Sequence, residues 1–205
     1  MSTITDIKQQ VKNPNKLSIF VDGKYSFSLT LDQLTDQKEV RVGKDIAEEE
    51  LTRLKDLSKL TNHYIRMVSL IYARPRSERE IVTKLKLKKL EPEEIEELVA
   101  KLKKAELLND QHFAEWWVEG RKNSKPISKR KLQNELSQKG IKADISQDVI
   151  ANNFSEEDEL ESLKKLIEKK KDKYPDQQKL MAYLASKGFG YSIIKNALSD
   201  DDKFF

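Results

Sequence analysis

The chain has 205 residues, 39 Lys and Arg against 35 Asp and Glu, and a formal net charge of +4. Six glycines and five prolines argue against a loop-rich or all-β chain, 37% hydrophobic residues leave room for a real core, and the lack of cysteine excludes disulfides and thiolate metal sites. No apolar run nears the roughly 18 residues of a membrane span, and the start, Met1-Ser2-Thr3-Ile4-Thr5-Asp6, lacks the basic and apolar regions of a signal peptide. A cytoplasmic protein with no membrane partner is expected.

Residues 1–46 read as a small β-rich subdomain. Leu17-Ser18-Ile19-Phe20-Val21 and Tyr25-Ser26-Phe27-Ser28-Leu29 alternate with period two around Asp22-Gly23, a pair that tolerates the positive φ of a tight hairpin turn. A strict two-residue loop sets Leu17, Ile19 and Val21 opposite Ser26 and Ser28, so either both faces are covered or the loop is one residue longer. Thr30 to Gln37 fits a short helix, and Glu39-Val40-Arg41-Val42 a third strand. A hairpin alone is marginal, so this subdomain is expected to lean on the first long helix.

From about Ala47 the pattern is helical. Leu51, Leu54 and Leu57 follow Glu48-Glu49-Glu50, whose charges suit a helix N-terminus; Tyr64, Met67, Val68, Ile71 and Tyr72 continue the spacing until Pro75. Ser77-Glu78-Arg79-Glu80 predicts a capping box, and Ile81, Val82 and Leu85 an apolar face.

An internal repeat then dominates. Leu132 to Ile141 matches Leu180 to Phe189, with Gly140 and Gly188 closing the middle helix, and Ile145 and Ile150 recur as Ile193 and Leu198. A looser copy has Ile81, Leu85, Ile95, Leu98 and Val99, with Lys89 in place of the glycine. The equivalent leucines Leu85, Leu136 and Leu184 lie 51 and 48 residues apart, room for three short helices per unit. Leading helices are expected over 62–73, 111–122 and 156–173, the last being the longer, with Asp110 and Ser155 as caps of the latter two. The expected fold is mainly α: an elongated array of tandem three-helix repeats, divided as 47–109 (with a linking helix), 110–154 and 155–205.

Catalytic groups are scarce. His63 and His112 are the two histidines, and there is no phosphate loop, nucleophile elbow or paired-histidine helix. Glu93-Glu94-Glu96-Glu97 and Glu156-Glu157-Asp158-Glu159 fall in first turns, where carboxylates favour the helix dipole. No enzyme, cofactor, metal or small-molecule substrate is expected.

Three constellations suit contact with a partner. Arg74, Arg76 and Arg79 cluster around Pro75 and Ser77, at a helix N-terminus where cations are disfavoured and where arginine suits phosphate or carboxylate. Trp116 and Trp117 are adjacent, about 100° apart on a helix, so one can pack in the core and the other serve as a surface anchor. Arg121 to Lys142 carries Arg121, Lys122, Lys125, Lys129, Arg130, Lys131, Lys139 and Lys142 against Glu135 alone, an electrostatic footprint for a polyanion or an acidic protein.

Arg74-x-Arg76-Ser77-x-x-Glu80, then Leu107-Leu108-Asn109-Asp110-x-x-Phe113-Ala114-x-x-Trp117 and Arg121, then Leu136-x-x-Lys139-Gly140-Ile141, resemble the signature of the RecX family of recombination regulators. The resemblance covers about residues 60–200. It implies tandem three-helix units and a partner, the RecA recombinase filament on single-stranded DNA, whose growth, ATP turnover and strand exchange are suppressed. On that reading Arg74, Arg76, Arg79, Arg121, Lys122, Lys125, Lys129, Arg130 and Lys131 face acidic protein or single- or double-stranded DNA. The polar surface favours a monomer.

The rival reading is an independent DNA-binding protein, with Ala143 to Ile150 as the second helix of a helix-turn-helix. Asp144 and Asp148 on that helix suit a phosphate-lined groove poorly.

Overall fold

The computed structural model describes residues 1–174 and 176–199, which fall into two compact parts divided between Ser69 and Leu70. The first part is a four-stranded antiparallel sheet in the order β3-β2-β1-β4, built from β1 (Ser2–Gln10), β2 (Asn13–Val21), β3 (Lys24–Thr30) and β4 (Asp45–Ile46). Its core joins Ile4, Leu17, Ile19, Val21, Phe27, Leu29, Val40 and Ile46 to Leu51 and Leu54 of α2 (Glu48–Ala73). The predicted leaning of the β subdomain on the first long helix is therefore observed. Ser58 of α2 accepts the Ser28 backbone N–H at 3.1 Å in this buried layer.

The register puzzle of the hairpin has a solution that neither sequence alternative contained. The loop is the two residues Asp22-Gly23, with Val21 opposite Lys24, and the register shifts between Phe20↔Tyr25 and Ile19↔Phe27. Ser26 is the extra residue, a bulge that brings Phe27 and Leu29 across from Ile19 and Leu17. The strand β1 was not anticipated, because Ile4 and Ile7 are its only large apolar residues. Its pairing with β2 along Ile4 to Gln10 supplies what the pattern lacks. The strand expected at residues 39–42 is not formed. That segment turns, with Lys44 N–H bonded to the Arg41 carbonyl, and the chain meets β1 from Gly43, whose N–H bonds the Ile4 carbonyl, onward into β4. The short helix is present as α1 (Leu31–Asp36), capped by Thr30 and Gln33.

The helical part follows the repeat. The two amphipathic stretches before Pro75 form one 26-residue helix, α2, whose C-terminal end leads the first unit. The units continue with α3 (Glu78–Lys86) and α4 (Pro92–Lys104); α5 (Asp110–Lys122), α6 (Lys129–Gln138) and α7 (Ala143–Asn153); α8 (Glu156–Glu168), α9 (Gln177–Ser186) and α10 (Tyr191–Ser199). Leu85, Leu136 and Leu184 are each fully buried, as are Ile81, Leu132 and Leu180 one turn earlier. The second unit closes on Phe113, Val118, Ile141, Val149, Ile150 and Phe154, the third on Leu163, Ile167, Phe189, Ile194 and Leu198. Burial of one such side chain contributes about 1.5–3 kcal/mol, and the second and third units each have a core of their own.

One length differs from expectation. The third leading helix ends at Glu168 rather than 173 and equals α5, at 13 residues each. The chain turns back over residues 169–174 so that Tyr174 stacks on Tyr183 of α9, with ring centroids 4.8 Å apart.

Candidate partner-binding surface at the joints between repeats

The middle helix of each unit starts at a capping residue eight positions before the repeat leucine: Ser77, Ser128 and Asp176. Each side chain accepts the N–H three residues on, satisfying one of the unpaired donors of a helix start. The two serines do more. Ser77 Oγ donates to the Lys139 carbonyl at 2.8 Å, and Ser128 Oγ donates to the Lys187 carbonyl at 2.9 Å. A hydroxyl can accept and donate at once, whereas the carboxylate of Asp176 can only accept. Each link ties one unit to the Lys-Gly turn of the next.

A second bond repeats at the same joints. Asp110 accepts the Glu78 N–H at 2.8 Å, and Glu159 accepts the Lys129 N–H at 2.8 Å. Asp110 is thus not the cap of its own helix. Asn109 caps α5, accepting from Gln111 and His112, and Asp110 serves α3 in the neighbouring unit. Ser155 caps α8 as expected.

The glycines close the joint. Gly140 has φ +85° and Gly188 φ +93°; a Cβ would lie 2.6 Å from Arg79 at the first and 2.7 Å from Ser128 Oγ at the second. A side chain is excluded there twice, by the left-handed backbone and by the preceding unit. Lys89 holds the same left-handed conformation, φ +58°, but its side chain is exposed, so only the backbone strain applies.

This arrangement predicts unequal capping effects. Ser128→Ala removes a cap, worth about 1 kcal/mol, and leaves the Lys187 carbonyl without its donor, worth about another 1 kcal/mol. Asp176→Ala removes the cap alone, about 1 kcal/mol. Urea unfolding followed by circular dichroism measures both; equal losses would mean that the link to Lys187 contributes nothing.

The first joint also explains the arginine cluster. The predicted capping box is half-formed: Ser77 caps, but Glu80 turns to three cations instead. Its carboxylate, 16% exposed, meets Arg74 Nη1 at 3.0 Å, Arg76 Nη1 at 3.7 Å and Lys139 Nζ at 2.8 Å. Burial raises the pKa of Glu80; hydrogen bonds and charge from Arg74 and Lys139 outweigh it and hold the carboxyl below its ordinary value. Arg74 further lies 5.6 Å from the Trp116 ring centroid, and Arg76 donates to the Leu70 carbonyl. Arg79 is exposed, its stem covering Gly140.

The basic block divides in a similar way. Arg121 donates to both oxygens of Glu135, at 2.9 and 3.2 Å, beside the Trp117 Nε1 donor at 3.1 Å. Lys122 pairs with Asp158 at 2.9 Å. Lys129 lines a hollow with Glu156, Glu157 and Glu159. Lys125, Arg130 and Lys131 are exposed and make no ion pair among the described residues. Trp117 packs against the core of the second unit with Lys139 Nζ 4.9 Å from its ring, while Trp116 is 40% exposed. The nine candidate cations therefore do not form one patch.

Sequence reasoning missed Glu80 and Lys139 as partners, and it missed Lys169 and Lys187, which join Lys125 and Lys131 around one hollow. The signal for Lys187 was present: it is the repeat equivalent of Lys139. Among the described residues, no helix is long and apolar enough to cross a membrane, and no group of three or more His, Asp or Glu is placed to hold a metal ion.

Family models for the first, second and third three-helix domains of RecX match residues 64–102, 109–150 and 156–198. The chain belongs to the RecX family. It is 30% identical to a regulatory protein RecX of Caldanaerobacter subterraneus over 96% of this chain and 98% of the relative, and 32% identical to that of Clostridium perfringens over 93% and 92%. A crystal structure of a regulatory protein RecX superposes with a TM-score of 0.79 at 26% identity, covering 98% of this chain and all of the other. A RecX structure from Lactobacillus salivarius covers 69% of this chain, with a TM-score of 0.63. The Leu-x-x-Lys-Gly element that suggested RecX from sequence is the part of each later unit that receives the preceding one.

Proposed function

We propose that this RecX-family chain is a non-catalytic, cytoplasmic regulator that binds the RecA recombinase filament on single-stranded DNA as a monomer and restrains its growth, ATP turnover and strand exchange. The observation that carries the reading is family membership along nearly the whole chain, with relatives named as regulatory proteins. The chemistry of the side chains agrees: cations predominate at the joints, and the acidic first turns serve helix dipoles and inter-unit pairs rather than a reaction. The helix-turn-helix rival loses ground because α7 exposes Asp144 and Asp148.

The test is the single-stranded-DNA-dependent ATPase rate of RecA titrated with the protein. Inhibition is expected at amounts well below one per recombinase subunit, as for a regulator acting on filament growth. An unchanged rate at large excess, with the protein folded and helical, overturns the reading.

A further inference from the structure

The two joints are built alike but charged differently. Counted from Leu85 and Leu136, the positions of Arg74 and Glu80 in the first unit are those of Lys125 and Lys131 in the second. Counted from Leu136 and Leu184, Lys139 corresponds to Lys187. At the first joint a carboxylate sits among the cations: Glu80 holds Arg74 and Lys139 at 3.0 and 2.8 Å. At the second joint that carboxylate is replaced by a lysine, so Lys125, Lys131 and Lys187 surround a place where the fold elsewhere puts an anion.

The three lysines line a hollow of about 480 Å³ with Arg121 and Lys169. Arg121 is neutralised by Glu135. The four lysines make no ion pair among the described residues; Lys187 rests 5.0 Å from the centroid of Tyr183. No carboxylate lines the hollow among the described residues. Asp158 and Glu161, which line the adjacent hollow, are engaged by Lys122 and Lys165. Like charges held together without a counter-charge cost stability, and a bound anion relieves that cost.

We propose that the second joint is an anion site for the phosphodiester backbone of a single-stranded nucleic acid, occupying the position that Glu80 fills at the first joint. The lining chooses between anions. Its charged side chains are donors only, and a DNA backbone is an acceptor-only ligand. A peptide brings N–H groups that need acceptors, and among the lining side chains only the Tyr183 and Ser186 hydroxyls can accept. Leu166 and Tyr183 give the hollow an apolar side for a sugar or base. Its volume lies within the usual range of small-ligand pockets, about 300–1,000 Å³, which admits a nucleotide and not a duplex. The site is distinct from a helix-turn-helix and needs no recombinase.

The experiment is fluorescence anisotropy of a labelled oligothymidylate with the full chain, without recombinase, across a salt series. Its result is therefore independent of the ATPase titration. Four lysine contacts predict that the logarithm of affinity falls with the logarithm of salt at a slope of about −3. Lys131→Glu installs the carboxylate of the first joint. It is expected to weaken binding at least about tenfold and to raise the melting temperature, because it pairs Lys125 and Lys187. Lys12→Glu, in the exposed β1–β2 turn, makes the same change in net charge and is expected to bind as wild type. The proposal is overturned if wild type does not bind, if Lys131→Glu binds equally, or if Lys12→Glu loses as much. Displacement of the oligonucleotide by polyglutamate at equal charge also overturns it and assigns the hollow to acidic protein instead.

Discussion

Replacing Gly140 by alanine is expected to destabilise the helical part by about 3 kcal/mol. Two separate costs contribute. An L-residue at φ +85° carries left-handed strain of about 1–2 kcal/mol. The new Cβ would also lie 2.6 Å from Cβ and Cδ of Arg79, the stem that covers the glycine from the preceding unit. Relief requires the joint to open or Arg79 to leave its place, an overpacking cost of about 1–3 kcal/mol. The comparison is Lys89→Gly, which removes strain at the equivalent turn where no side chain is excluded. It is expected to be neutral or stabilising by up to about 1 kcal/mol, since a freer unfolded chain offsets part of the gain. Denaturant midpoints of the two variants decide the matter. A Gly140→Ala loss no greater than backbone strain would remove the packing argument at the joint.

Glu80→Gln should destabilise the protein by about 2 kcal/mol at neutral pH, below the 3–5 kcal/mol of a fully buried pair because the cations around it are partly exposed. Arg74, Arg76 and Lys139 would be left facing one another around a neutral amide. The pH dependence follows from the direction of the shift. The carboxyl is held below its ordinary value of 4.5, so its stabilisation is fully present above about pH 4.5 and is lost as the pH falls through the lower folded value. The deficit of Glu80→Gln should therefore shrink on acidification, as wild-type Glu80 takes up its proton. A deficit independent of pH would mean that shape, not charge, holds the joint. Placed beside Lys131→Glu, the experiment makes a sharp pair: at equivalent positions of two joints, losing a carboxylate destabilises and gaining one stabilises.

Much of the fold was legible because it rests on local rules. The apolar spacing of Ile81 and Leu85, Leu132 and Leu136, and Leu180 and Leu184 marks the buried stripe of three middle helices, and all six are fully buried. Ser77 and Ser155 announce helix starts by their own chemistry, and Asp22-Gly23 announces a turn. The strand β1 was not legible because its sequence is polar and only its neighbour completes it. The bulge at Ser26 was visible as a conflict of register, though not as its resolution.

The candidate surface was read less well, for a reason of distance along the chain. Counting cations from Arg121 to Lys142 found the block, but the partners that divide it lie far away: Lys139 meets Glu80 across 59 residues, and Lys122 meets Asp158 on the next leading helix. Asp110 looked like a cap for its own helix because capping is usually local, yet its carboxylate crosses to Glu78. The sequence by itself determined the repeat, its period, the positions of its cores and the glycine turns, since helices are made by contacts within about four residues. Only the tertiary structure decided which unit's end meets which turn, and hence which cations are already answered by a carboxylate and which, at Lys125, Lys131, Lys169 and Lys187, are not.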